Sequence, residues 1–212
     1  MYNVKAFTFN PLQENTYLIY NEAKNAIIID PGCYYESEQQ ELYDFITNNG
    51  LNIKYLLNTH CHLDHVFGNK WVYENFHTPL HLHKSEIHVL QMAPASGLMW
   101  GIPFDNYQGA FVEINSGEHI QLDDDIIEIL FTPGHSPGHL SFYSAQGGWV
   151  ISGDVLFHES IGRTDLPGGN YNTLIKSIKD ILWKLPEETI VYCGHGPATT
   201  INHEKKHNPF LI

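Results

Sequence analysis

The sequence predicts a mixed α/β (α+β) fold of four layers, two β-sheets sandwiched between helices in the order αββα, and three observations carry that prediction. Short β-like apolar runs recur in both halves of the chain, each followed by a turn that holds Gly or Pro. Helical patterns accompany them in both halves, so a β-rich half with helices is followed by a second of the same kind. Chemistry-bearing side chains stand directly after several of the β-like runs. At 212 residues, with no linker, repeat or low-complexity tract, residues 1–212 read as a single large domain.

In chain order, residues 4–9, 15–20 and 26–30 are strand candidates, with a hairpin or meander around Asn21-Glu22. Ser37 followed by Gln40 gives a capping-box pattern, Leu42, Phe45 and Ile46 share one face, and Gly50 after Asn49 is a natural stop, so a surface helix is expected there. Residues 53–58 form the next strand, and a helix is expected over 64–76. Residues 84–113 are less regular, and between Met92 and Gln108 large apolar residues mix with breakers. That stretch reads either as core packing under a loop or as an apolar lid. Residues 126–131, 140–143 and 149–152 are strands, a helix over 172–185 carries Leu174, Ile175, Ile178, Ile181, Leu182 and Leu185 before Pro186, and 189–193 is a buried strand.

Composition excludes several classes. The formal net charge of −13 disfavours a phosphate-tracking surface, so nucleic acid is not an expected partner. The first residues lack a basic stretch leading into an apolar one, and no run approaches the roughly 18 apolar residues of a bilayer span. A soluble, unexported, cytoplasmic protein with no membrane partner is expected. Cys33, Cys61 and Cys193 are odd in number, widely spaced and without a CxxC pair, which suits a reducing compartment better than a disulfide framework or a zinc knuckle.

The densest chemistry is His60-Cys61-His62-Leu63-Asp64-His65, delivered by the strand at 53–58. Imidazole nitrogens and carboxylate oxygens are what borderline divalent ions such as zinc take as ligands. Short His-rich tracts also occur as solvated surface or adventitious chelators. Here, however, later strand ends deliver matching partners. His135 follows the strand at 126–131 in the turn Thr132-Pro133-Gly134-His135-Ser136-Pro137-Gly138-His139. Asp154 follows Gly153 after 149–152, where an unpaired acid would carry a desolvation cost, and His195 lies in Gly194-His195-Gly196 after 189–193. Seven donors, His60, His62, Asp64, His65, His135, Asp154 and His195, are too many for one tetrahedral ion and suit two ions roughly 3.5–4 Å apart. His139 reads as a supporting or packing residue, Cys61 and Cys193 as packing residues, and His77, His81, His83, His88 and His158 as solvated or hydrogen-bonded.

These motifs, H-x-H-x-D-H at His60–His65, T-P-G-H-S-P-G-H, G-D at Gly153-Asp154 and G-H-G at Gly194–Gly196, resemble those of the metallo-β-lactamase-fold hydrolases, and within them the compact glyoxalase II-like branch. The resemblance runs from Asn10-Pro11 to Asn208-Pro209-Phe210. It implies that His60, His62 and His135 hold a first metal, that Asp64, His65 and His195 hold a second, and that Asp154 bridges them. It implies two divalent ions, zinc foremost with iron or manganese as alternatives. Gly162-Arg163-Thr164-Asp165 is similar to a loop that lies beside the metals in these enzymes, so Arg163 is a candidate contact for a substrate carboxylate or amide, with Asp165 its salt-bridge or turn partner. Only a short tail follows His195, so the separate C-terminal helical region with which the larger glyoxalase II enzymes bind glutathione is not expected.

The implied activity is hydrolysis of a small-molecule thioester like S-lactoylglutathione, or a related ester, by a metal-bridging hydroxide, with Asp64 orienting it and relaying a proton and Asp154 at the bridge. A thiolate leaves readily, which favours a thioester over a β-lactam. Three rivals stand beside it. His60, His135 and Asp154 alone would make a two-His, one-carboxylate face for iron, as in persulfide dioxygenases. A lactonase would use the same metal chemistry. A metal-binding scaffold without turnover is the third, set against a complete set of ligand positions.

Overall fold

The computed structural model describes residues 2–212, which divide into two compact units, one running to Glu113 and the other from Ile114 to Ile212. The first unit opens with β1 (Asn3–Phe9), β2 (Glu14–Tyr20) and β3 (Asn25–Ile29), each antiparallel to the one before. Three crossovers then extend the sheet in parallel. Helix α1 (Glu36–Asn48) leads to β4 (Asn52–Leu57), α2 (Leu63–Val66) and α3 (Asn69–Phe76) lead to β5 (Leu80–Leu82), and α4 (Ile87–Met99) leads to β6 (Phe111–Glu113). The six strands lie in sequence order. Ile27, Ile28, Ile29, Leu56 and Leu57 are fully buried, the continuous β-branched and leucine runs typical of parallel strands. Leu42 and Ile46 of α1, Val72 of α3 and Leu90 and Ala93 of α4 pack with Leu18, Ala26, Ile28 and Leu56 into one core.

The second unit opens with an antiparallel meander of β7 (His119–Leu122), β8 (Asp125–Phe131), β9 (Leu140–Ser144) and β10 (Trp149–Gly153). A small hairpin of β11 (Leu156–Phe157) and β12 (Ser160–Ile161) follows, then α5 (Tyr171–Asp180). β13 (Ile190–Cys193) returns parallel to β10, β14 (Thr199–Thr200) pairs antiparallel to β13, and α6 (Ile201–His207) ends the order β14-β13-β10-β9-β8-β7. Its core joins Leu174 and Ile178 of α5 and Ile201 of α6 to Val150, Val191 and Cys193.

The expected strands are found within a residue or two of their expected ends, the short strands β5, β6, β7, β11, β12 and β14 are not among those expected, and three helices differ for physical reasons. The cap of α1 is Tyr35, not Ser37: the Glu38 carboxylate accepts from the N–H of the Tyr35 cap at 3.0 Å and also from those of Tyr34 at 2.8 Å and Asn10 at 2.7 Å, tying the start of the helix to the loop after β1. The helix expected over 64–76 is broken at Gly68, whose N–H goes to Pro31 O at 2.7 Å and whose added Cβ would lie 2.4 Å from Cys33 Sγ. The helix expected over 172–185 begins at Tyr171 behind an Asn170 cap, whose Oδ1 accepts from Thr173 N at 2.9 Å, and gives way to a 3₁₀ turn at Leu182–Lys184. The irregular middle is a surprise: residues 87–99 are helical despite Pro94.

Candidate metal centre

In the first unit the site grows from two adjacent strand ends. β3 ends at Asp30, whose left-handed φ of 50° turns the chain away while its N–H bonds Leu57 O at 3.0 Å. The buried Asp30 carboxylate accepts from Thr59 N at 2.7 Å, Thr59 Oγ1 at 2.6 Å, Asn58 Nδ2 at 3.1 Å and His65 Nδ1 at 3.1 Å. Proton counting then fixes two tautomers. A carboxylate only accepts, so His65 carries its proton on Nδ1. The single Thr59 hydroxyl proton goes to Asp30, so Thr59 Oγ1 accepts from His60 Nδ1 at 3.0 Å. Both rings are left with Nε2 as the acceptor that can ligate. Asp30, His60 and His65 offer donor atoms within 4.8 Å of one another, but with its oxygens engaged by four donors Asp30 acts from behind the rings.

His60, His62 and His65 are gathered tightly, with ring centroids 4.7 Å apart for His60–His62 and 4.1 Å for His60–His65. His65 Nε2 lies 3.7 Å from Asp64 Oδ2. Asn10 steadies the start of α2 by donating from Nδ2 to Asp64 O at 3.1 Å and to Gly32 O at 3.0 Å. Glu14 lies deeper, its Oε1 3.8 Å from His65 Nδ1. Burial raises its carboxyl pKa well above the ordinary range against the pull of His65, and Asp30 and Asp64 push it further.

The second unit supplies three more donors, two imidazoles around one carboxylate. β10 ends in a bulge at Gly153, φ 48°, which turns Asp154 out of the ladder. Asp154 Oδ2 stands 3.5 Å from His135 Nε2 and 3.6 Å from His195 Nε2. His135 Nδ1 donates to the backbone carbonyl of Arg163 at 2.8 Å, which again sets Nε2 forward. Only glycine at 162 permits this: an added Cβ would fall 1.9 Å from Asp154 O. The turn bearing His135 is stapled to α5, where a Cβ on Gly134 would meet Leu174 N at 2.3 Å and Ser177 Oγ donates to Pro133 O at 2.6 Å.

His139 acts from behind. Asp154 N–H donates to its Nε2 at 3.2 Å, so that nitrogen is occupied, and its Nδ1 proton goes to Thr132 Oγ1 at 3.2 Å. The exposed Arg163 guanidinium is held by Asp165 in a two-bond fork of 2.7 and 2.8 Å, which brings the Asp165 carboxyl down to about 2. Cys61 and Cys193 are fully buried members of the two apolar cores. His81 bonds the carbonyls of Pro79 at 2.9 Å and Leu56 at 3.2 Å, and burial lowers its pKa; His83 caps Ser85 N at 3.3 Å. His158 is exposed, as the solvated reading has it, and its ring also stacks on that of His203.

Within each unit the pairs of donor atoms stand 3.5–3.7 Å apart. That is too long for N–H···O bonds of about 2.7–3.2 Å and suits ligands sharing a cation with bonds of about 2.0–2.2 Å. The donor set therefore fits divalent metal. Sequence reasoning missed Asp30, Asn10 and Gly162. Asp30 carried a signal, a carboxylate directly after a buried strand as at Asp154; Asn10 and Gly162 act through backbone contacts that no spacing encodes.

The family model of the metallo-beta-lactamase superfamily matches residues 9–195. The chain is 40% identical over 208 residues to the probable metallo-hydrolase YqgX of Bacillus subtilis, covering 95% of this chain and 93% of that protein. It is 38% identical over 211 residues to the hydroxyacylglutathione hydrolase GloC of Haemophilus influenzae, covering 99% and 98%. Among solved structures it superposes on BLEG-1, a B3 metallo-beta-lactamase, with a TM-score of 0.90 at 38% identity over 100% of this chain and 99% of that one. It superposes on TTHA1623 in a di-iron-bound form with a TM-score of 0.88 at 38% identity over 98% and 100%. The chain belongs to the metallo-β-lactamase superfamily and has its fold, and with this donor set it is a metal-dependent hydrolase. No helix among the described residues is long and apolar enough to cross a membrane.

Proposed function

We propose that this hydrolase cleaves a small-molecule thioester of the S-lactoylglutathione kind, or a related ester, at a centre of two divalent ions, with zinc as the resident metal. The family's binuclear ligand pattern falls on His60, His62 and His135 for one ion and Asp64, His65 and His195 for the other, with Asp154 shared. The observation that carries this reading is the set of imidazoles whose Nδ1 protons are committed to Thr59, Asp30 and Arg163 O, leaving Nε2 as donor in each. The similarity to GloC supports the thioester. Three free, buried thiols suit a reducing cytoplasm.

Divalent ions bound there supply an activated water near neutral pH and a Lewis acid for the substrate carbonyl. The chain's own residues do the rest. Asp64, largely buried, accepts a proton from the attacking water and relays it. His139 fixes the backbone of Asp154, and Asp30 holds the His65 ring, so neither donor must reorganise during reaction. The thiolate product needs no strong general acid. Arg163, exposed and paired with Asp165, is the proposed contact for a carboxylate or amide of the substrate, exchanging or sharing Asp165.

The test is elemental analysis of purified protein alongside S-lactoylglutathione hydrolysis and glutathione-persulfide-dependent oxygen uptake. About two zinc per chain with thiol release is the expected result. One iron with oxygen consumption overturns it in favour of a dioxygenase. Asp64→Asn that keeps its metal and loses turnover removes the scaffold reading. For Arg163→Ala we expect KM to rise about tenfold or more with kcat changed much less, as for loss of binding equal in ground and transition states; an unchanged KM removes Arg163 from the substrate site.

A further inference from the structure

A second group of metal-binding side chains lies in the second unit, where the β11–β12 hairpin meets α6. The His158 and His203 rings stack with centroids 4.9 Å apart and planes 18° apart, and the His203 ring is 4.7 Å from that of His207. His203 Nε2 is 3.0 Å from Glu159 Oε1. One donor atom from each of His158, Glu159 and His203 falls within 4.8 Å of the others. His203 and His207 stand four residues apart on α6, the spacing that puts two side chains on one helix face.

We propose that His158, Glu159 and His203, with His207 one turn further along α6, form a site for a single borderline divalent ion such as Zn²⁺, separate from the residues proposed to hold the hydrolytic centre. Imidazole nitrogens with one carboxylate oxygen are the donors that Zn²⁺, Ni²⁺ and Cu²⁺ select. Two ligands sharing such an ion at about 2.0–2.1 Å each sit roughly 3.3 Å apart. At 3.0 Å Glu159 and His203 are hydrogen-bonded, and that spacing opens, as the wider separations close, by rotation of side chains that are exposed or half-buried. A bare ion pair accounts for Glu159 and His203 alone. It leaves His158, stacked nearly parallel on the His203 ring, outside the pair, whereas one cation takes a donor atom from each of the three.

The backbone beneath the group is built to hold it still. Glu159 sits at the tip of the hairpin with φ 55°, a left-handed conformation that costs a non-glycine residue about 1 kcal/mol or more. Glu204, fully buried on α6, accepts the Glu159 N–H at 3.0 Å, Asn208 Nδ2 at 2.8 Å and Thr199 Oγ1 at 2.5 Å. Asn208 Nδ2 also donates to Ser160 O at 3.0 Å. The turn carrying His158 and Glu159 is thus tied to the helix carrying His203 on both sides of the strained residue, and the donors need little ordering when an ion arrives.

The experiment is equilibrium dialysis of untagged, metal-stripped full chain against Zn²⁺, comparing wild type with His203→Gln and, from the exposed hairpin, His158→Gln. Each variant is first checked for an unchanged metal-free melting temperature. If His203→Gln fails that check, His158→Gln decides alone. We expect wild type to bind one zinc per chain more than the variants, or to bind that equivalent at least about tenfold more tightly, with hydrolytic activity unaffected by either substitution. Binding curves that superimpose for wild type and the folded variants overturn the proposal. The readout is a difference between isotherms, so it holds whatever the main centre contains and whatever it hydrolyses.

Discussion

Asp30 makes four hydrogen bonds and orders two proposed metal ligands with them, one directly and one through the Thr59 hydroxyl. In Asp30→Asn one acceptor oxygen becomes an NH₂ group. Facing His65 Nδ1–H, that group sets donor against donor, and the ring turns or changes tautomer so that Nε2 no longer presents its lone pair. Outer partners of this kind are worth about 10–100-fold in metal affinity or activity. The loss is expected in the affinity of the ion bound by His65, measured by competition with a chromophoric chelator, and an affinity within twofold of wild type would sink the argument. The donors themselves were legible because their spacing and their place after strands are sequence properties. Asp30 was not singled out, because its partner His65 is separated by a whole crossover and only the parallel pairing of β3 with β4 brings them together.

At the scale of elements, α4 shows how tertiary contacts overrule a local breaker. Pro94 has no N–H, so the carbonyl of Leu90, four residues earlier, loses its helical donor. Asn106 Nδ2 replaces it at 2.7 Å, from the segment that leads into β6. Residues 92–108 therefore hold a helix and the strap that completes it, where the sequence offered only loop packing or a lid. The substitute donor was unreadable because it lies sixteen residues from the carbonyl it serves and has no periodic relation to the helix. A double-mutant cycle isolates the bond. Asn106→Ala should cost about 1–3 kcal/mol beside Pro94, and distinctly less in a Pro94→Ala background, where a backbone N–H returns to serve Leu90. Equal costs in the two backgrounds, measured by urea unfolding, would show that Asn106 contributes otherwise. The same reasoning covers the break between α2 and α3, where Gly68 spends its N–H on Pro31 instead of on a helix.

At the scale of the whole molecule, each unit carries part of the donor set and a buried thiol beside it: Cys61 between His60 and His62 in the first, Cys193 two residues before His195 in the second. Burial pushes Cys193 up to about 12 and raises Cys61 and Cys33 as well, with Glu204 adding at Cys193, Glu86 at Cys61 and Glu14 at Cys33. At pH 8 the folded protein therefore holds almost no thiolate at these positions, while an unfolded chain with ordinary thiols holds an appreciable fraction. Reaction with a disulfide reagent must pass through opening, so its rate reports opening in the two units through Cys61 and Cys193. If the family's ligand pattern is filled by ions bound only by the folded chain, metal stabilises the closed state by RT ln(1 + [M]/Kd), about 2.7 kcal/mol at a hundredfold excess over Kd. The expectation follows directly: three thiols titrate in denaturant, none titrates quickly in the metal-loaded native protein, and chelation accelerates labelling at Cys61 and Cys193 by roughly a hundredfold at that excess. Peptide mapping of the labelled sites separates the units. Acceleration at only one of the two cysteines would mean that metal secures one unit and leaves the other as stable without it, and no acceleration at either would remove metal from the forces that hold this fold closed.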